Sequence, residues 1–164
     1  MLEYTITAHR SAESAATAHS ERASSASLPL DIDPSGRPDA FNPAELLLTS
    51  IAACMLKGIE RVAPMLKFAL RSADVRVHGV RQDAPPRMIS VDYELVVDTD
   101  ESDARLDLLH RNIEKFGTVY NTLAGAVNLT GTIRRGRALE ARSDGSGPNA
   151  VKAPPLAVAE DAIC

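Results

Sequence analysis

A chain of 164 residues, 45% apolar and 24% charged, is long enough for one domain with a genuine core and too short for two comfortable ones. Its formal charge of -4 argues against a nucleic-acid binder, whose footprint is basic; the densest basic patch, Arg134, Arg135 and Arg137, reads as the solvated end of a strand. With no tryptophan and only 4% aromatics, the core has to be aliphatic.

The opening "MLEYTITAHR" lacks the apolar run of a secretion signal, and the longest apolar run, Leu46 to Leu56, is too short to span a bilayer. A cytoplasmic location with no membrane partner is therefore expected. Tyr4, Ile6 and Ala8 alternate with other residues, which predicts a first strand over 3–10. The small, polar stretch 11–25 carries a weak strand signal and is read as the hairpin partner. "SLPLDI" gives another short extended piece, and Pro34, Gly36 and Pro38 then mark an irregular loop.

A long helix starts sharply after it. Asn42 is a good N-cap, Pro43 sits where its missing N–H is harmless, and Glu45 favours the positive end of the helix dipole. The helix is expected to reach about Val62, with Pro64 ending or kinking it. Leu46, Leu47, Leu48, Ile51, Met55, Leu56, Ile59 and Val62 do not fit one narrow stripe, so the helix needs cover on most sides, and a second copy of the chain is a plausible source.

Val75 and Val77 alternate with Arg76 and His78, and Ile89, Val91, Tyr93 and Leu95 alternate likewise. These are two strands of a hairpin joined through "DAPPR". Asp100 can cap a second helix whose buried face is Leu106, Leu109, Ile113 and Phe116, with Gly117 as its stop. "TVYNTLAG" is short and irregular or helical, and Val127, Leu129 and Ile133 mark a last strand. From about Ala138 the sequence is rich in Gly, Pro, Ser and Ala and reads as a flexible tail. Strands, long helix, strands, helix, strand is the signature of an α+β fold.

Chemistry-bearing motifs are few. His9, His19, His78 and His110 include no pair at helical ligand spacing and no CxxC accompanies them, so no metal is expected. Nucleotide-binding glycine motifs and a serine-nucleophile elbow are missing as well, and no cofactor is expected. Cys164, the last residue, reads as a terminal thiol, because a reducing cytosol disfavours a structural disulfide with Cys54. Cys54 remains. A cysteine among alanines on an apolar helix is ordinarily a small hydrophobe. A reactive one needs a thiolate, and in mid-helix the dipole gives no help, so a cation has to come from elsewhere in the fold.

The segment "NPAELLLTSIAAC", the "APPR" hairpin and the distal "EKFGTVYNTLAGAVNLTG" resemble the OsmC/Ohr family of organic-hydroperoxide-reducing proteins, over roughly residues 3–135. The resemblance implies an OsmC-like domain at 1–137 followed by the tail at 138–164. It implies two long helices packed on antiparallel sheets in an intertwined homodimer. Cys54 matches the peroxidatic cysteine, whose thiolate takes an oxygen from a hydroperoxide to become a sulfenic acid. A glutamate and an arginine support it, and Glu45 and Arg10 are the nearest matches, with Arg22 and Arg37 as rivals. The resolving cysteine of the family is replaced here by Gly117. The implied function is a one-cysteine reduction of organic hydroperoxides, with Cys54 regenerated by an external thiol reductant. The alternative is a non-catalytic, stress-associated homodimer that binds an apolar small molecule at its interface.

Overall fold

The computed structural model describes residues 2–11, 15–22 and 26–137. The tail expected from residue 138 lies outside the described residues. The N-terminal segment forms a three-stranded antiparallel sheet, β1 (Ile6–Arg10), β2 (Ala16–Ser20) and β3 (Ser27–Leu30), in the order β1-β2-β3. The stretch after β1 thus returns as its hairpin partner, with Arg10 opposite Ala16. β1 is exposed along its whole length, and Ile6 keeps 66% of its surface open. A sheet with apolar side chains and so little core of its own needs cover from another surface.

The loop between β3 and the first helix is held by one carboxylate. Buried Asp31 accepts the backbone N–H groups of Asp33 and Arg37, each at 3.0 Å, and Gly36 takes the positive φ of 83° that the turn requires. Helix α1 (Pro43–Leu66) then opens with a complete capping box. The Glu45 N–H donates to Asn42 Oδ1 and the Asn42 N–H donates to Glu45 Oε2, both at 2.9 Å.

Pro64 does not end α1. The helix continues to Leu66 and closes on Lys67 in the left-handed conformation. Proline's fixed φ is itself helical, so it removes one hydrogen bond without breaking the path, and buried Val62, Ala63 and Phe68 hold the last turn against the core. One face of α1 is buried through Ile51, Met55, Ile59 and Val62, while Leu56 and Met65 stay 41% and 63% exposed.

A second sheet covers that buried face. β4 (Ser72–Gln82) and β5 (Arg87–Asp98) form the expected antiparallel hairpin, and β6 (Asn128–Arg135) pairs with β5. β6 runs parallel to β5, so this sheet is mixed where antiparallel sheets were expected. The crossover through α2 (Asp103–Phe116) and α3 (Thr118–Ala124) carries the chain back far enough to restart in the same direction. Ser102 rather than Asp100 precedes α2, and the Asp100 carboxylate instead pairs with Arg71 at 2.7 Å. The core joins Ile51, Met55 and Ile59 of α1 to Val91, Leu95 and Val97 of β5 and to Leu106, Leu109 and Ile113 of α2. Among the described residues no helix is long and apolar enough to cross a membrane.

Candidate functional site

Cys54 lies in the middle of α1, partly exposed, at the edge of the core where α1 meets α3 and the end of α2. Gly117 closes α2 directly opposite. A Cβ built on Gly117 would stand 3.2 Å from Cys54 Sγ, 3.0 Å from Tyr120 Cβ and 3.1 Å from the Ile113 carbonyl oxygen. The absence of a side chain at 117 therefore brings backbone close to the sulfur. The thiol is neither sealed in aliphatic packing nor held in a disulfide.

The supporting residues expected from the sequence are placed differently. Glu45 is on the same helix, about two and a half turns or roughly 13 Å before Cys54 along the axis, and its carboxylate closes the capping box. Arg10 ends β1 in the N-terminal sheet and is exposed. Arg22 is exposed just beyond β2, and Arg37 makes a two-point contact with Asp39 at 2.9 and 2.7 Å. Within one chain the helix geometry keeps Glu45 away from Cys54. Arg61 escaped the sequence reading: about two turns further along α1, its guanidinium sits 5.1 Å from the centre of the Phe116 ring, beside Gly117. Lys115 approaches the same ring at 5.4 Å.

A second group of residues was also not anticipated. The Tyr93 hydroxyl donates to Glu114 Oε1 at 2.9 Å, and the Tyr120 hydroxyl donates to the same oxygen at 3.0 Å. His110 Nε2 lies 2.7 Å from the Tyr93 oxygen; because Tyr93 gives its only proton to Glu114, the imidazole N–H is the donor there. Burial, then the Glu114 carboxylate, holds both tyrosine hydroxyls above the ordinary phenol range. Burial pushes the His110 imidazole down, against the opposing pull of Glu114 and Asp107. Gly131 makes this possible. It is the β6 partner of Tyr93, and a Cβ there would fall 1.9 Å from the ring's Cζ. The one signal the sequence offered was His110 and Glu114 a helical turn apart. Among the described residues no cluster could hold a metal ion.

The family model described as OsmC-like protein matches residues 36–131. No curated protein sequence matches the chain. Among solved structures, the fold is similar to an OsmC-like protein from Mycoplasma pneumoniae, with a TM-score of 0.73 and 22% identity over 82% of this chain and 97% of the other. It is also similar to an organic hydroperoxide resistance protein OsmC from Legionella pneumophila, with a TM-score of 0.65 and 17% identity over 81% and 97%. The organic hydroperoxide resistance protein OhrB of Bacillus subtilis aligns with a TM-score of 0.58 and 17% identity over 81% and 98%.

Proposed function

The chain belongs to the OsmC-like protein family, and from that premise we propose that it reduces organic hydroperoxides with a single cysteine, as a homodimer. The observation that carries the reading is the placement of Cys54, partly exposed, against the bare backbone of Gly117, 3.2 Å from where a side chain would begin. The Cys54 thiolate attacks one hydroperoxide oxygen. The S–O bond forms as the O–O bond breaks, the electron pair leaves on the alkoxide, and a proton converts that to the alcohol. Sulfur, oxidised by two electrons, is left as a sulfenic acid. An external thiol attacks it and water departs. A second thiol then releases the mixed disulfide and restores Cys54. A reducing cytoplasm supplies such thiols, and we place the protein there.

The dimer is argued from what one chain leaves uncovered. β1, Leu56 and Met65 present apolar surface that a second copy would bury. Since Glu45 cannot reach the Cys54 of its own helix, the carboxylate and the guanidinium of Arg10 would be supplied across the seam. A second reading draws on the same exposed surface: a non-catalytic dimer that holds an apolar small molecule at its interface.

Peroxide consumption with a dithiol reductant separates them. Wild type is expected to consume an alkyl hydroperoxide and Cys54→Ser to fall to background. Equal rates in the two proteins would remove the enzymatic reading and leave the binding one.

A further inference from the structure

Helix α3 forms one wall of the Cys54 surroundings, yet it is only seven residues long and buries no residue of its own. Val119, Tyr120 and Leu123 pack partly buried against the core, and polar ties fix the helix further. Asn121 provides one set, its side-chain amide donating to the Gly117 carbonyl at 2.8 Å and the Lys115 carbonyl at 3.2 Å. The other is the Tyr120 hydroxyl on Glu114 Oε1. Glu114 is fixed from the opposite side by Tyr93, whose ring is seated over Gly131 in the second sheet. Tyr120 Cβ and Cys54 Sγ face the same point above Gly117, so any outward swing of α3 changes access to the sulfur.

We propose that Tyr93, Glu114 and Tyr120 are specificity-determining residues, pinning the corner between α2 and α3 over Cys54 and so setting the size of molecule that reaches its sulfur. The hydroxyls act through Glu114 and through the placement of α3. The chain is sheet to carboxylate to α3: Tyr93 anchors Glu114, Glu114 anchors Tyr120, and Tyr120 sets the distance of the wall. Loss of either hydroxyl releases the same wall, so the two losses are not additive. This proposal rests on Cys54 being the reactive thiol, but its test involves no peroxide and no turnover.

The test compares alkylation of Cys54 by N-ethylmaleimide with alkylation by a maleimide carrying a polyethylene glycol chain, in a Cys164→Ser background. The ratio of the two rates cancels any change in thiol ionisation, because both reagents draw on the same thiolate. Tyr93→Phe and Tyr120→Phe are each expected to raise the bulky-to-small ratio by roughly fivefold to tenfold, the increase in corner opening when one buried hydrogen bond is lost. The double variant is expected to rise little further. Thr99→Val, which removes the buried hydroxyl that donates to the Ala69 carbonyl in the connection before β4, controls for general loosening and is expected to leave the ratio unchanged. An unchanged ratio in both tyrosine variants would overturn the proposal, and so would an equal rise in Thr99→Val. Should either tyrosine variant fail to fold, Glu114→Leu, which removes the oxygen that both hydroxyls donate to, takes its place under the same criteria.

Discussion

Introducing a cysteine at position 117 is the sharpest perturbation of the Cys54 surroundings. A Cβ at 117 would lie 3.2 Å from Cys54 Sγ. In a disulfide, each Cβ lies about 3.0 Å from the far sulfur, so the shift needed is about 0.2 Å. Gly117 has φ of -77°, which any residue adopts without strain. Two contacts oppose the change, Tyr120 Cβ at 3.0 Å and the Ile113 oxygen at 3.1 Å, and overpacking of this kind costs about 1–2 kcal/mol. Reduced Gly117→Cys should therefore be less stable than wild type by that amount. Closing the loop from 54 to 117 with a disulfide stabilises the native state by about 4 kcal/mol on the chain-entropy account. At about 4 °C per kcal/mol for a domain of this size, the oxidised variant should melt roughly 15 °C above its reduced form. The assay is thermal unfolding with and without reductant in a Cys164→Ser background, with thiol titration to follow closure. Two titratable thiols after mild oxidant treatment would refute the reasoning, as would an oxidised form that melts with the reduced one.

Three further outcomes follow from single features. Asn42→Ala removes one arm of the capping box of α1 and should lower stability by about 1–2 kcal/mol in denaturant titration, with Asn42→Ser close to neutral. Gly131→Ala places a methyl 1.9 Å from the Tyr93 ring, so the ring must leave its seat; a loss of about 1–3 kcal/mol is expected in denaturant titration, and an unchanged midpoint would contradict it. Burial lowers the folded-state affinity of His110 for a proton, so at mildly acid pH the unfolded chain binds more protons. Stability should therefore rise with pH up to about 6.5 and then level off, and His110→Asn should flatten that slope when denaturant midpoints are compared at mildly acid and neutral pH.

Much of this architecture could be read from local signals. Asn42, Pro43 and Glu45 announce the start of α1 because a cap, a first-turn proline and a first-turn carboxylate lie within four residues, and the β4–β5 hairpin is legible because alternation and the proline turn are local too. What escaped depended on tertiary partners. Pro64 looked like a terminator because the core holding Val62 and Ala63 is invisible along the chain. Asp100 looked like a cap because Arg71, its actual partner, is remote in sequence. The parallel direction of β6 is set by where the α2–α3 excursion returns, which alternation does not encode. Cys54 was singled out by residue type and by its place on α1, and the structure adds its exposure and its approach to Gly117. The Tyr93–His110–Glu114–Tyr120 group went unseen because three separate elements assemble it. The site roles of Glu45 and Arg10 rest on resemblance alone; within one chain Glu45 lies about two and a half turns before Cys54 on α1 and Arg10 ends β1.

The central claim concerns one sulfur atom, and its oxidation product can be weighed directly. The Cys164→Ser protein is treated with one equivalent of an organic hydroperoxide in the presence of a sulfenic-acid trap, and its intact mass and peptide map are recorded. The account predicts a single trapped adduct on Cys54, formed as the peroxide disappears and missing from Cys54→Ser. An unmodified Cys54 beside undiminished peroxide would contradict it.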